Sequence, residues 1–348
     1  MTSNYLREFE KLNITTESIY DLEGHEVLII LKDGTNLTRW DDVKKKKDVL
    51  YVSENLSNYM DLSRKYEDLT SLKAIVALNV TNRVTTLEGI FNNCISLVDI
   101  SSLRNWDVSN VKNMSRMFES CHSLFNLSPL ENWDLSSVKT VRNMFHTCFS
   151  LKFFNLKNFK ANNVENMEEM FYYCGSLRDI SGLSGWDVSN VKNMKHMFAG
   201  CSSLVDFSFL RDWDVSNVDI MWAMFNGCSS LVDLSFLKDW DVSNVSDMSG
   251  LFLGCSSLVD LSCLRDWDVS NVDDMMSMFF NCSGLLDVSG LSGWDVSNVK
   301  NMKDMFEDCS GLLDGSCLNG WDVSNVKNME MMFKGCKSIK KYPKWFKE

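Results

Sequence analysis

A period of 27 residues constrains this chain more than any other feature. Tryptophans stand at Trp106, Trp133, Trp186, Trp213, Trp240, Trp267, Trp294 and Trp321. Each step is one period, except that the gap from Trp133 to Trp186 is two periods less one residue, with Phe159 in the missing slot. Cysteines keep the same beat at Cys94, Cys121, Cys148, Cys174, Cys201, Cys228, Cys255, Cys282, Cys309 and Cys336. Two unrelated markers in phase over most of the chain define a tandem repeat of about ten units.

The unit beginning at Trp186 reads WDVSNVKNMKHMFAGCSSLVDFSFLRD. Its apolar residues recur about every third position: Trp186, Val188, Val191, Met194, Met197 and Phe198, Cys201, Leu204, Phe207 and Leu210. A helix prefers mixed spacings of three and four, and a strand prefers two. A sustained threefold beat predicts a polygonal coil that points one side chain per facet inward, so that stacked coils share a core no single unit can bury. Within the unit, Met197 to Cys201 reads as a short helix and Leu204 to Ser208 as a short parallel strand. Asn190 to Met194 reads as a second short strand or as the first turn of that helix. The fold class is therefore α/β, a solenoid with a short parallel strand and a short helix per unit.

The string Trp-Asp-Val-Ser-Asn-Val-x-x-Met-x-x-Met-Phe-x-x-Cys-x-Ser-Leu resembles the repeat of BspA-like leucine-rich-repeat surface proteins, including the lipoprotein-associated repeats of unknown function. The resemblance covers Asn79 to the C-terminus. It implies a leucine-rich-repeat-like solenoid, a role in adhesion or protein recognition, and a place at the cell surface or in the secreted fraction.

The ends depart from the beat. Residues 1–78 lack it; Val27 to Leu31, the turn Lys32-Asp33-Gly34-Thr35 and Asn36 to Trp40 read as a hairpin within a small α/β cap. Residues 79–337 form the solenoid, starting with a degenerate unit that has Asn79 in the tryptophan slot. Residues 338–348, with Pro343 and several lysines, read as a C-terminal cap that blocks further stacking. Met1 to Ile30 show no secretion signal, so the chain as written reads as cytoplasmic against the surface location the resemblance implies. The longest apolar run, Val27 to Leu31, is far short of a membrane span.

Several rows invite a chemical reading. The cysteine ladder reads as buried, reduced thiols filling space; disulfides or a metal are the alternatives, although no Cys-x-x-Cys pair occurs. The aspartates after each tryptophan (Asp107, Asp134, Asp187, Asp214, Asp241, Asp268, Asp295, Asp322) read as caps of Asx-type turns, with calcium between rungs as the alternative. A second row, including Asp206, Asp233 and Asp260, reads as a solvated stripe or as a docking stripe for a basic partner. In the middle coils, slots that are polar elsewhere hold Ile220, Trp222, Leu253, Met276 and Phe280. These are a candidate partner-binding patch, unless Trp222 tucks against its own coil.

A net charge of −12 opposes a nucleic-acid partner. The four histidines, His25, His122, His146 and His196, share no pattern with a nucleophile and an acid, and no glycine-rich phosphate loop occurs. The expectation is a monomeric, non-enzymatic protein-binding scaffold that needs no cofactor. The alternative is an adhesin for glycan or matrix, aided by calcium.

Overall fold

The computed structural model describes residues 27–78 and 80–347. Asn79, the occupant of the first tryptophan slot, and the cap's first 26 residues lie outside the described residues. The expected leucine-rich-repeat-like solenoid is observed, and its axis is marked by a column of rings. Tyr66, Phe91, Phe118, Phe145, Phe171, Phe198, Phe225, Phe252, Phe279, Phe306 and Phe333 each stack on the next, with centroids from 5.3 to 6.0 Å apart. The column starts ahead of Asn79, because residues 61–72 already form a stacked coil: Leu62 N–H donates to Thr86 O and Tyr66 N–H to Ile90 O.

The threefold beat is the inward register. In a middle unit Trp213 is 4% exposed, Val215 1%, and Val218, Met221, Cys228 and Leu231 are completely buried. Between coils the continuous element is a ladder of parallel bridges, one residue per coil, through Asn166, Asn193, Ile220, Asp247, Asp274 and Asn301. The segment from Asn190 to Met194 is thus the strand element. Leu204 to Ser208, expected as the parallel strand, makes no bridge among the described residues; that slot is paired only in other coils, as at Phe153↔Asp179 and Asp287↔Asp314. The Asp206 carboxylate accepts the Ser208 N–H at 2.8 Å and turns the chain at once into a 3₁₀ turn, Ser208–Leu210. That turn is the unit's helical element.

Met197 to Cys201 is not a helix, and the reason lies in the backbone. His196 has φ 54° and Gly200 φ 77°, left-handed values no α-helix contains. Alternate N–H groups leave the coil: Met194, His196, Phe198 and Gly200 donate to the carbonyls of Ile220, Trp222, Met224 and Asn226 at 2.6 to 3.0 Å. The intervening Met197, Ala199 and Cys201 donate three residues back within the coil. Every amide is thereby satisfied without helix, and the inter-coil bonds sustain left-handed residues such as Ala223 (φ 53°) that would otherwise cost about 1–2 kcal/mol each.

At the N-terminal end, β1 (Val27–Leu31), β2 (Asn36–Leu37), β3 (Val49–Asn55) and β4 (Ala74–Leu78) form a sheet ordered β2-β1-β3-β4. The expected hairpin is present, with β1 antiparallel to β2 across Gly34 at φ 84°. β3 and β4 are parallel, and Ala74 of β4 bridges Asp99 of the degenerate unit that follows, so the sheet continues into the coils. The joint is pinned by Glu54 on β3. This carboxylate, 4% exposed, accepts from Tyr66 OH at 2.8 Å, Lys65 Nζ at 2.8 Å and Trp40 Nε1 at 3.3 Å.

Candidate interaction surface

Most polar residues of the repeated motif are consumed by the fold. All eight aspartates after the aromatic slot cap the same Asx turn, accepting the N–H of the serine two residues on: Ser216 to Asp214 at 3.1 Å, Ser243 to Asp241 at 3.0 Å, Ser270 to Asp268 at 3.0 Å. The serine hydroxyl and N–H together hold the carboxyls of Asp187, Asp268 and Asp322 below their ordinary value, and the Ser136 N–H, then its hydroxyl, does so for Asp134. The asparagine after that serine ties coils together: Asn244 Nδ2 donates to Ser216 O at 2.6 Å, Asn271 to Ser243 O at 2.6 Å and Asn298 to Ser270 O at 2.7 Å. Asp-Val-Ser-Asn is therefore a turn plus an inter-coil clamp.

The tryptophan and cysteine rows are clamps as well. Trp240 Nε1 donates to Leu210 O at 3.1 Å and Trp267 Nε1 to Leu237 O at 3.0 Å. Each buried thiol reaches the carbonyl of the preceding coil's ring residue, as Cys228 to Phe198 O and Cys255 to Phe225 O, both at 3.2 Å. The thiols are thus weak donors with a partner, which the space-filling reading missed. Burial raises their pKa, to about 12 for Cys174 and Cys282. All twelve cysteines are unpaired with one another.

The middle-coil patch is less free than its sequence implied. Trp222, 38% exposed, lies on the preceding coil, with Lys195 Nζ 4.2 Å from its ring centroid and the His196 ring 5.0 Å away. Ile220 belongs to the bridge ladder, and Met276, Leu253 and Phe280 are half-buried. Leu253 and Phe280 occupy the same slot of adjacent coils, whereas Trp222 and Met276 share another slot two coils apart, with Ser249 between them. The remaining described histidines also pack on aromatic neighbours, His122 on Phe149 and His146 on Tyr172, each at 4.7 Å. Burial holds the pKa of His122, His146 and His196 down.

A row of exposed aliphatic side chains lies in another slot of the coils. Val205, Val232, Val259, Leu286 and Leu313 stand in one slot of five consecutive coils and are 40 to 58% exposed. Beside each stands an aspartate of the second acidic row: Asp206, Asp233, Asp260, Asp287 and Asp314. Each caps its 3₁₀ turn at 2.7 to 2.8 Å while remaining at the surface, so the row is both structural and charged. Sequence reasoning found the aspartates and passed over the aliphatic row. Its signal was the doublet Leu-Val or Leu-Leu, which breaks the threefold beat by placing a second apolar residue directly after the inward leucine.

Among the described residues no three histidine, cysteine, aspartate or glutamate side chains converge as metal ligands do, and no helix is long and apolar enough to cross a membrane. The model of one family, described as "Mycoplasma protein of unknown function, DUF285", matches residues 60–180, 148–260, 176–282 and 231–346. No curated protein matches. Among solved structures, a leucine rich cell surface protein from Faecalibacterium prausnitzii A2-165 aligns over 92% of this chain and 93% of its own, at 16% identity and a TM-score of 0.40. A leucine-rich repeat protein from Bacteroides ovatus aligns over 85% of this chain and 79% of its own, at 16% identity and a TM-score of 0.32.

Proposed function

The chain belongs to the family described as Mycoplasma protein of unknown function, DUF285, and from that premise we propose that it is a non-enzymatic scaffold for protein–protein interaction. The binding surface is the double row of Val205, Val232, Val259, Leu286 and Leu313 beside Asp206, Asp233, Asp260, Asp287 and Asp314.

One observation carries this reading: five consecutive coils each expose a branched aliphatic side chain next to a carboxylate. The fold does not demand it, since the same slot holds Lys152 and Arg178 in earlier coils. Contiguous exposed apolar surface rimmed by polar groups is characteristic of interaction sites. The charge selects a partner that is apolar along its centre and basic along one edge. A scaffold role also fits the division of labour in the motif, whose aspartates, asparagines, tryptophans and cysteines are occupied in holding coils together.

The test is co-precipitation from the native host's lysate and surface fractions with the wild type and with Val232→Lys/Val259→Lys. Specific partners recovered by the wild type should be lost by the variant while its melting temperature is unchanged. Equal recovery by a folded variant rejects this surface.

A further inference from the structure

Among the described residues, the coil of Met329 to Gly335 carries a row of hydrogen-bond donors without backbone acceptors. In the preceding coil Met302, Asp304, Phe306 and Asp308 donate their N–H groups to the carbonyls of Asn328, Glu330, Met332 and Lys334 at 2.7 to 2.9 Å. The equivalent N–H groups of Met329, Met331, Phe333 and Gly335 make no backbone hydrogen bond among the described residues. Core slots beside them are open too: Val299 and Met302 are completely buried, but their counterparts Val326 and Met329 are only partly covered.

The C-terminal cap covers the rest of this end. Trp345 continues the tryptophan row, stacked 6.2 Å from Trp321 and donating to Leu318 O at 2.8 Å. Phe346 and Tyr342 lie edge-on to Phe333 at 4.9 and 5.6 Å. Between cap and coil remains a groove of about 530 Å³, floored by Met331, Phe333, Tyr342 and Phe346. Lys337 and Lys347 stand on its rim, and Glu330 is the carboxylate among its lining residues. Lys334 is held by Glu307 at 2.9 Å, whereas Lys337 makes no ion pair among the described residues. Met331 is 51% exposed.

We propose that this groove is a second binding site, distinct from the double row, that takes an acidic peptide segment as one further rung. An unpaired edge of amides is a template for strand addition. Four N–H dipoles aimed one way require carbonyl oxygens from the occupant, spaced two residues apart as along an extended or turn-following segment. The floor accepts apolar side chains, and the lysine rim accepts carboxylates. A basic segment meets like charge on this rim and is repelled, although the chain as a whole is acidic.

The probe is a fluorescein-labelled nonapeptide alternating aspartate and leucine, compared with its lysine–leucine counterpart by anisotropy on the full chain. Methionine-methyl NMR then locates the bound peptide. The aspartate peptide should bind saturably, at least tenfold more tightly than the lysine peptide, and shift Met329, Met331 and Met332 before other methionines. Lys337→Glu/Lys347→Glu should weaken it at least tenfold with an unchanged melting temperature. Absence of saturable binding, preference for the lysine peptide, or shifts confined to methionines of other coils overturns the proposal. Val232→Lys/Val259→Lys should leave peptide binding intact, so failure here and failure of the double row are separable.

Discussion

Replacing Glu54 by leucine tests whether the cap and the coils are one cooperative unit. The substitution removes the acceptor shared by Tyr66, Lys65 and Trp40. Lys65 is only 14% exposed at its side chain, so its ammonium is left largely without water or counter-charge. Removing one partner of a buried pair costs about 3–5 kcal/mol. Leucine returns about 1 kcal/mol of that through its own burial, leaving a net loss of roughly 2–4 kcal/mol. Glu54→Gln keeps an acceptor for Tyr66 and should lose about half as much. Urea unfolding measures the loss, and hydrogen exchange locates it: protection should fall in β1 and β3 and in the coil of Tyr66, the first ring of the column. A loss below about 1 kcal/mol, or equal losses for leucine and glutamine, would refute the idea that this carboxylate pins the joint.

Further outcomes follow from the rows. The buried thiols have folded pKa values above their ordinary 9.0, about 12 for Cys174 and Cys282. Their contribution is complete below pH 9 and is lost as pH rises from there toward 12, at about 1.4 kcal/mol per thiol per pH unit. Urea midpoints should therefore fall steeply above pH 9, and a flat profile would contradict the burial. Iodoacetamide on the native protein should label Cys263 and Cys317, which are half-buried, before any ladder cysteine, as mass spectrometry can read. Asn244→Ala removes the bond to Ser216 O and should cost about 0.5–1.5 kcal/mol in urea unfolding. Trp222→Ser/Phe280→Glu should lower stability by roughly 2–4 kcal/mol, since both aromatics are partly buried. If that double variant abolishes partner binding and the Val232/Val259 variant does not, the middle turn face is the binding surface.

The sequence-level reading worked where side-chain type alone reports burial. Trp213, Val215, Met221 and Cys228 point inward because nothing else suits a repeated apolar beat. It failed at Met197 to Cys201, where the decisive fact is a left-handed backbone at His196, Ala223 and Ser277, residues with no common preference for it. There the requirement comes from the neighbouring coil, which takes every second amide. For the same reason Asp-Val-Ser-Asn showed its turn but not its clamp, since the carbonyl that Asn244 holds belongs to Ser216 in another unit. The contacts of Trp222 with Lys195 and His196 were not legible in one dimension, because those residues lie a full period away.

The row of four amides that each coil lends to the next also sets how the molecule yields to force. Those bonds run between coils, so tension applied at the two termini loads one coil's row at a time instead of shearing many rows together. Extension should proceed as a staircase, each step releasing one 27-residue unit of roughly 90 Å of contour. The coil of Met329 to Gly335 lends its amides to nothing in the described chain and has only the short segment of Tyr342 and Phe346 packed on its outer side, so it should peel first. The coil of Tyr66, anchored to the sheet through Glu54, should be the last to let go.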